Sequence, residues 1–152
     1  MALNIDVVKE DALKELGPRI LPAKNFISEV KSVILNGADA IGQGILGDWM
    51  FVIPVMYGEL RCIESECLLA VDLYESEIDR VKADSQASKA VDVKVTEARA
   101  QAALLTNDLK VRQFVAKFMA KYVNSIWSEL EMLIFSVRGL FESRLQKVKN
   151  DV

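Results

Sequence analysis

The chain has 152 residues, 51% of them apolar and 27% charged, with a formal net charge of −3. That length sets one domain with a single modest core, and that composition excludes a disordered tail. Histidine is absent, which removes every triad or dyad that needs imidazole, the common zinc sites and histidine proton shuttles.

The start, MALNIDVVKEDALKEL, carries charges where a signal peptide has its apolar core, and Ala2 excludes myristoylation. Val7, Val8, Leu13 and Leu16 among interleaved charges predict a short amphipathic helix over Asp6–Leu16, stopped by Gly17-Pro18. Pro22 suits the first turn of a second helix over residues 23–36, whose apolar face is Phe26, Ile27, Val30, Val33 and Ile34.

Residues 36–48 hold four of the seven glycines, Gly37, Gly42, Gly44 and Gly47. This is either a loop or a segment where helices pack closely. Gly42, Gly44 and Gly47 spell GxGxxG, but that fingerprint must follow a strand, and none precedes it, so nucleotide binding is not expected. The most apolar run, Ile45 to Tyr57, is too short to cross a bilayer and carries Asp48 and Pro54. It reads as a buried or interfacial segment.

Pro54 opens or kinks a helix that runs to about Ala83. Leu60, Ile63, Cys67, Ala70 or Val71, Tyr74 and Ile78 keep its apolar period, and acidic residues fill much of the rest. Cys62 and Cys67 stand on different faces at this spacing, so free thiols and a reducing cytoplasm are expected. Residues 84–90 are small and polar and read as a loop, a frayed turn or a mobile stretch. Residues 91–96 alternate like a strand but lack a hairpin partner, and a helix or an irregular lead into one is the preferred reading.

Thr106-Asn107-Asp108 is an N-cap cluster for the clearest element of the chain. Val111, Val115, Phe118, Tyr122, Ile126, Leu130, Leu133, Val137 and Leu140 step by mostly three or four residues. Such a helix reaches on the order of 60 Å. A second set that includes Phe114, Trp127, Ile134 and Phe141 widens its apolar face well beyond the roughly 100° that a bundle helix needs. Either the helix is central and fully covered by its own chain, or a second copy covers the excess. Self-assembly is the preferred reading.

The net charge hides a segregation. Residues 59–79 carry net −6 and residues 80–121 net +5. The basic set is Arg80, Lys82, Lys89, Lys94, Arg99, Lys110, Arg112, Lys117 and Lys121, with Tyr74 and Phe114 near it as rings on which bases could stack if exposed. The alternative is that these cations pair with the acidic run on an adjacent antiparallel helix. Without imidazole or a phosphate loop, the helix carboxylates read as surface charge. Cys62 lacks an activating base, so no enzymatic activity, metal or cofactor is expected.

The stretch IPVMYGELRCIESECLLAVDLYESEIDRVKADSQ, followed by TEARAQAALLTNDLKVRQFVAKFMAKYVNSIWSELEMLIFSVRGLFESRL, resembles the UvsY-like phage recombination mediators over about residues 53–148. The resemblance is one of residue classes: an alanine-rich lead-in, an aromatic middle, an acidic–leucine step at Glu129-Leu130-Glu131 and a basic–aliphatic finish from Arg138 to Leu145. Residues 1–52 lie outside it. It implies a non-enzymatic, ring-like homo-oligomer in the host cytoplasm. Such a protein binds single-stranded DNA, loosens single-strand-binding protein and helps load a recombinase. DNA contacts would fall on Arg80, Lys82, Lys89, Lys94 and Arg99. Subunit contacts would fall on Phe118, Tyr122, Ile126, Leu133, Val137 and Leu140.

The expected fold is therefore all-α: an elongated helical hairpin or bundle with a long C-terminal helix, assembling into a homo-oligomer. Residues 1–52 supply N-terminal helices and the glycine-rich segment, and residues 53–152 supply the long-helix hairpin and oligomerisation region of one structural domain. A helical subunit of a viral capsid or filament is the alternative function. A membrane-surface or partner-helix module built on residues 45–57 is a third.

Overall fold

The computed structural model describes residues 4–87 and 95–150. They form three α-helices: α1 (Ile5–Gly37), α2 (Gln43–Ala87) and α3 (Val95–Asn150), with a single 3-10 turn at Ala38–Ala40 between α1 and α2. No strand occurs among the described residues, so the all-α expectation holds at the level of fold class. No described helix is long and apolar enough to cross a membrane.

The chain does not divide near residue 52. It forms two compact units, one from the chain up to Leu13 with Glu64–Lys121, the other from Lys14–Ile63 with Tyr122 onward. All three helices contribute to both, because each helix is longer than one unit needs.

In the second unit, α1 runs parallel to α3: Lys24 Nζ donates to Tyr122 Oη at 3.2 Å, and Lys31 Nζ donates to Glu129 Oε2 at 2.6 Å. Helix α2 runs antiparallel to α3, with the Tyr57 and Trp127 rings 5.0 Å apart. Leu16 and Val30 of α1, Leu46 and Leu60 of α2, and Leu130 and Val137 of α3 are at most 1% exposed. At about 1.5–3 kcal/mol per buried large aliphatic side chain, this triple seam is the main stabilising feature of the unit. The first unit has a leaner core. Ala12, Cys67, Val71, Ile78, Leu109, Ala116 and Ala120 are buried there, three of the seven being alanines. No described polar or charged residue is fully buried in either unit.

Helix α1 does not stop at Gly17-Pro18; it passes through both Pro18 and Pro22. Each proline removes one backbone donor and leaves the carbonyl four residues earlier without its partner. Both prolines are exposed, so those carbonyls face water, while Leu16, Ile20, Ala23 and Ile27 stay buried on the other side. Burial of that stripe outweighs the local penalty. The helix ends instead at Gly37, whose φ of 152° is open to glycine and strained for other residues. Arg144 from α3 then donates to the Ala38 carbonyl at 2.5 Å and ties the turn down.

The other boundaries also move. Helix α2 begins at Gln43, so Pro54 is internal, and it extends to Ala87 rather than about Ala83. Residues 84–87 are helical, not loop. Helix α3 begins at Val95, which places Thr106-Asn107-Asp108 inside it rather than at its cap. Most of the alternating segment, residues 91–94, and residues 88–90 lie outside the described residues.

Candidate nucleic-acid interface

In the first unit, α2 and α3 pack antiparallel, so the end of α2 meets the start of α3. A shallow groove of about 540 Å³ lies between them. Lys82 of α2 and Arg99 and Lys110 of α3 line it, together with Ser85, Gln86, Thr106 and Asn107. Val81, Ala102 and Ala103 complete its lining. The alanine-rich lead-in of α3 thus has a positional effect: small side chains keep the groove open while cations and neutral hydrogen-bonding groups form its walls.

The expected DNA-contacting residues separate into three cases. Lys82 and Arg99 come together in the groove. Arg80 is exposed on α2 and does not line it. Lys89 and Lys94 lie outside the described residues.

The pairing of cations with the acidic run takes a form that sequence reading did not anticipate. Arg80 reaches Glu77 at 2.9 Å and Lys82 reaches Asp79 at 3.1 Å, each one turn back on α2 itself. Arg112 is held by Asp108 at 2.9 Å within α3. The Asp108 hydrogen bond, then its charge, raise the Arg112 pKa above its ordinary value, and Tyr74 of α2 adds in the same direction. These are exposed pairs between neighbouring turns. Exposed pairs of this kind hold their partners weakly, because water and salt screen them.

Lys110 has a second role. It also lines an apolar pocket of about 290 Å³ with Ile5 and Val8 of α1 and Val111 and Phe114 of α3. Phe114 is 41% exposed there. A cation and an accessible ring therefore stand within one turn of each other. Tyr74, the other candidate for stacking, is half-buried.

The residues expected to join subunits behave differently from that expectation. Ile126, Leu133 and Val137 are at most 5% exposed and lie inside the second unit's own core. Phe118 is half-buried under the Lys9 ammonium, 5.9 Å from the ring centroid, and Tyr122 is half-buried under Lys24 at 5.8 Å. Leu140 is half-buried. The broad apolar face of α3 is covered mostly by α1 and α2 of the same chain. Other large apolar side chains remain outside, among them Leu104, Met132 and Phe135 on α3 and Phe51, Leu69 and Leu73 on α2.

Sequence reading missed the groove as a set. Charge alone gives Lys110 no neighbour, and cap propensity places Thr106 and Asn107 at a helix start, yet all three line the groove. Antiparallel pairing across the link between α2 and α3 was the available signal, since it sets residues 81–86 opposite residues 99–110. No protein-family model, curated protein or solved structure matches the chain.

Proposed function

We propose that this protein is a non-enzymatic, recombination-mediator-like factor. It binds single-stranded DNA as a homo-oligomer and helps a recombinase replace single-strand-binding protein on the strand. The observation that carries this reading is the convergence of Lys82, Arg99 and Lys110 on one open groove lined by neutral polar side chains. Arg99 and Lys110 stand eleven residues apart on α3, about 16 Å along the helix, so the three cations suit phosphates spread along a short stretch of flexible strand. The exposed Phe114 ring beside Lys110 suits a stacked base. A duplex presents its phosphates but keeps its bases stacked, so the ring favours the single strand.

One chain offers only a few phosphate contacts, and affinity from so few is modest. Repetition of the groove in an oligomer adds them along one strand. The mediator role follows from the resemblance over residues 53–148 together with this groove. The capsid or filament alternative draws on the exposed apolar side chains of α2 and α3.

Anisotropy of a fluorescent oligothymidine tests the reading. The expected result is binding that weakens steeply with salt, and that the charge reversals Lys82→Glu and Arg99→Glu abolish without changing the chain's mass in solution. Binding absent at low salt, or unchanged by the two reversals, contradicts it. Ordered polymers in the electron microscope without strand affinity would favour the structural-subunit alternative.

A further inference from the structure

The cationic groove does not end at Lys110. That side chain also lines the apolar pocket of about 290 Å³, whose other walls are Ile5 and Val8 of α1 and Val111 and Phe114 of α3. Arg99, Ala103, Thr106, Lys110, Phe114 and Phe118 step by three or four residues, so groove and pocket follow one face of α3.

A further cation stands past the pocket. Lys9 of α1, next in sequence to Val8, holds its ammonium 5.9 Å from the centre of the Phe118 ring, one turn beyond Phe114. Lys110 and Phe118 are eight residues apart, about 12 Å along α3. The pocket is therefore flanked along the helix by two ammonium groups, one from each helix. All of these residues belong to the first unit. Lys9 lies in residues 1–52, outside the resemblance, and outside the basic set of residues 80–121.

The lining selects an occupant. The pocket has an aromatic wall and aliphatic walls, and neither it nor the groove is lined by a carboxylate. Two clefts of the second unit, by contrast, include Glu129 or Glu142. A flat apolar ring with an anion on each side matches this arrangement, and a base within a single strand is such a group. An acyl chain carries an anion at one end only. A base inside a duplex is held by its pair and its stacked neighbours.

We propose that the pocket takes one unstacked base of the strand, between Phe114 of α3 and Ile5 and Val8 of α1, while Lys110 and Lys9 hold phosphates on either side of it. The proposal rests on the strand-binding reading and extends that site to the first turns of α1. Selectivity for a single strand over a duplex then comes from the pocket, and Lys9 supplies one phosphate contact beyond those of the groove.

An oligothymidine carrying a single 2-aminopurine tests this on the full chain. With the wild type, the probe's fluorescence is expected to change on binding, in step with anisotropy. Phe114→Leu keeps the pocket apolar and removes the ring. It is expected to lose the probe signal, to bind single strands about tenfold more weakly and to keep the wild-type salt slope. Its preference for the single strand over a duplex of the same length should shrink with it. Lys9→Ala is expected to keep the probe signal and to lower the slope of log affinity against log salt by about 0.7. Circular-dichroism melts establish that both variants fold, and the wild-type probe signal needs no variant. Binding that depends on Lys82 and Arg99 but leaves the probe silent, or keeps wild-type affinity in Phe114→Leu and the wild-type slope in Lys9→Ala, overturns the pocket and leaves the groove reading standing. Absence of strand binding at low salt overturns both.

Discussion

Lys82 Nζ lies 3.1 Å from Asp79 Oδ1, one turn earlier on α2, and the same side chain lines the groove that Arg99 and Lys110 enter from α3. If the groove binds a strand as proposed, an arriving phosphate competes with the Asp79 carboxylate for this ammonium. Removing Asp79 as Asp79→Asn frees Lys82, and single-strand affinity should rise about two- to fivefold, in line with the strength of an exposed pair. Anisotropy at fixed salt checks this. An unchanged or lower affinity would detach Lys82 from binding.

Burial along α3 predicts two opposite outcomes from one kind of substitution. Leu130 is fully buried and Phe135 is 67% exposed. Leu130→Ala should lower unfolding free energy by about 2–5 kcal/mol, the range for a large aliphatic removed from a packed core. Phe135→Ala should change it by no more than about 0.5 kcal/mol. Urea denaturation of the two variants tests whether the chain's own helices cover the inner face of α3.

The turn after α1 rests on two features. Gly37 holds a φ of 152°, and the Arg144 guanidinium donates to the Ala38 carbonyl at 2.5 Å. Gly37→Ala forces a side chain into a strained backbone region and should cost about 1–3 kcal/mol. Arg144→Ala loses a partly buried hydrogen bond and should cost about 1 kcal/mol. Thermal melts followed by circular dichroism read both.

The Arg61 guanidinium carbon lies 4.2 Å from the centre of the Trp127 ring. A cation over an indole face at a surface site contributes about 0.5–1 kcal/mol. Arg61→Ala should lower stability by that amount and shift tryptophan emission to the red, as water reaches the uncovered ring. Emission unchanged from the wild type would place the guanidinium elsewhere in solution.

Much of the fold was legible in the sequence because it depends on periodicity. The apolar period of α2 is Leu60, Ile63, Cys67, Ala70 or Val71, Tyr74 and Ile78; of these Leu60, Ile63, Cys67, Val71 and Ile78 are buried, and Ala70 and Tyr74 are half-buried. The boundaries were less legible, because they depend on competition between local and tertiary terms. Pro18 and Pro22 carry a strong local stop signal, which burial of Leu16, Ile20 and Ile27 outweighs. Thr106 is a good cap residue that happens to sit in the middle of a longer helix.

The candidate groove shows the same limit. Charge segregation marked the segment that contains Lys82, Arg99 and Lys110, but their meeting depends on how α2 and α3 align in space. The broad apolar face of α3 misled for a related reason. Width alone does not tell whether a neighbour helix belongs to the same chain, and for Ile126, Leu133 and Val137 it does.

Phosphates of a single strand held in the groove leave their mark on the slope of log affinity against log salt for an oligothymidine, compared between the wild type and Lys82→Ala/Arg99→Ala/Lys110→Ala. Each phosphate contact removed should lower the slope by about 0.7, so the triple variant should lose about 2. A wild-type affinity indifferent to salt, or a triple variant with the wild-type slope, would contradict the account.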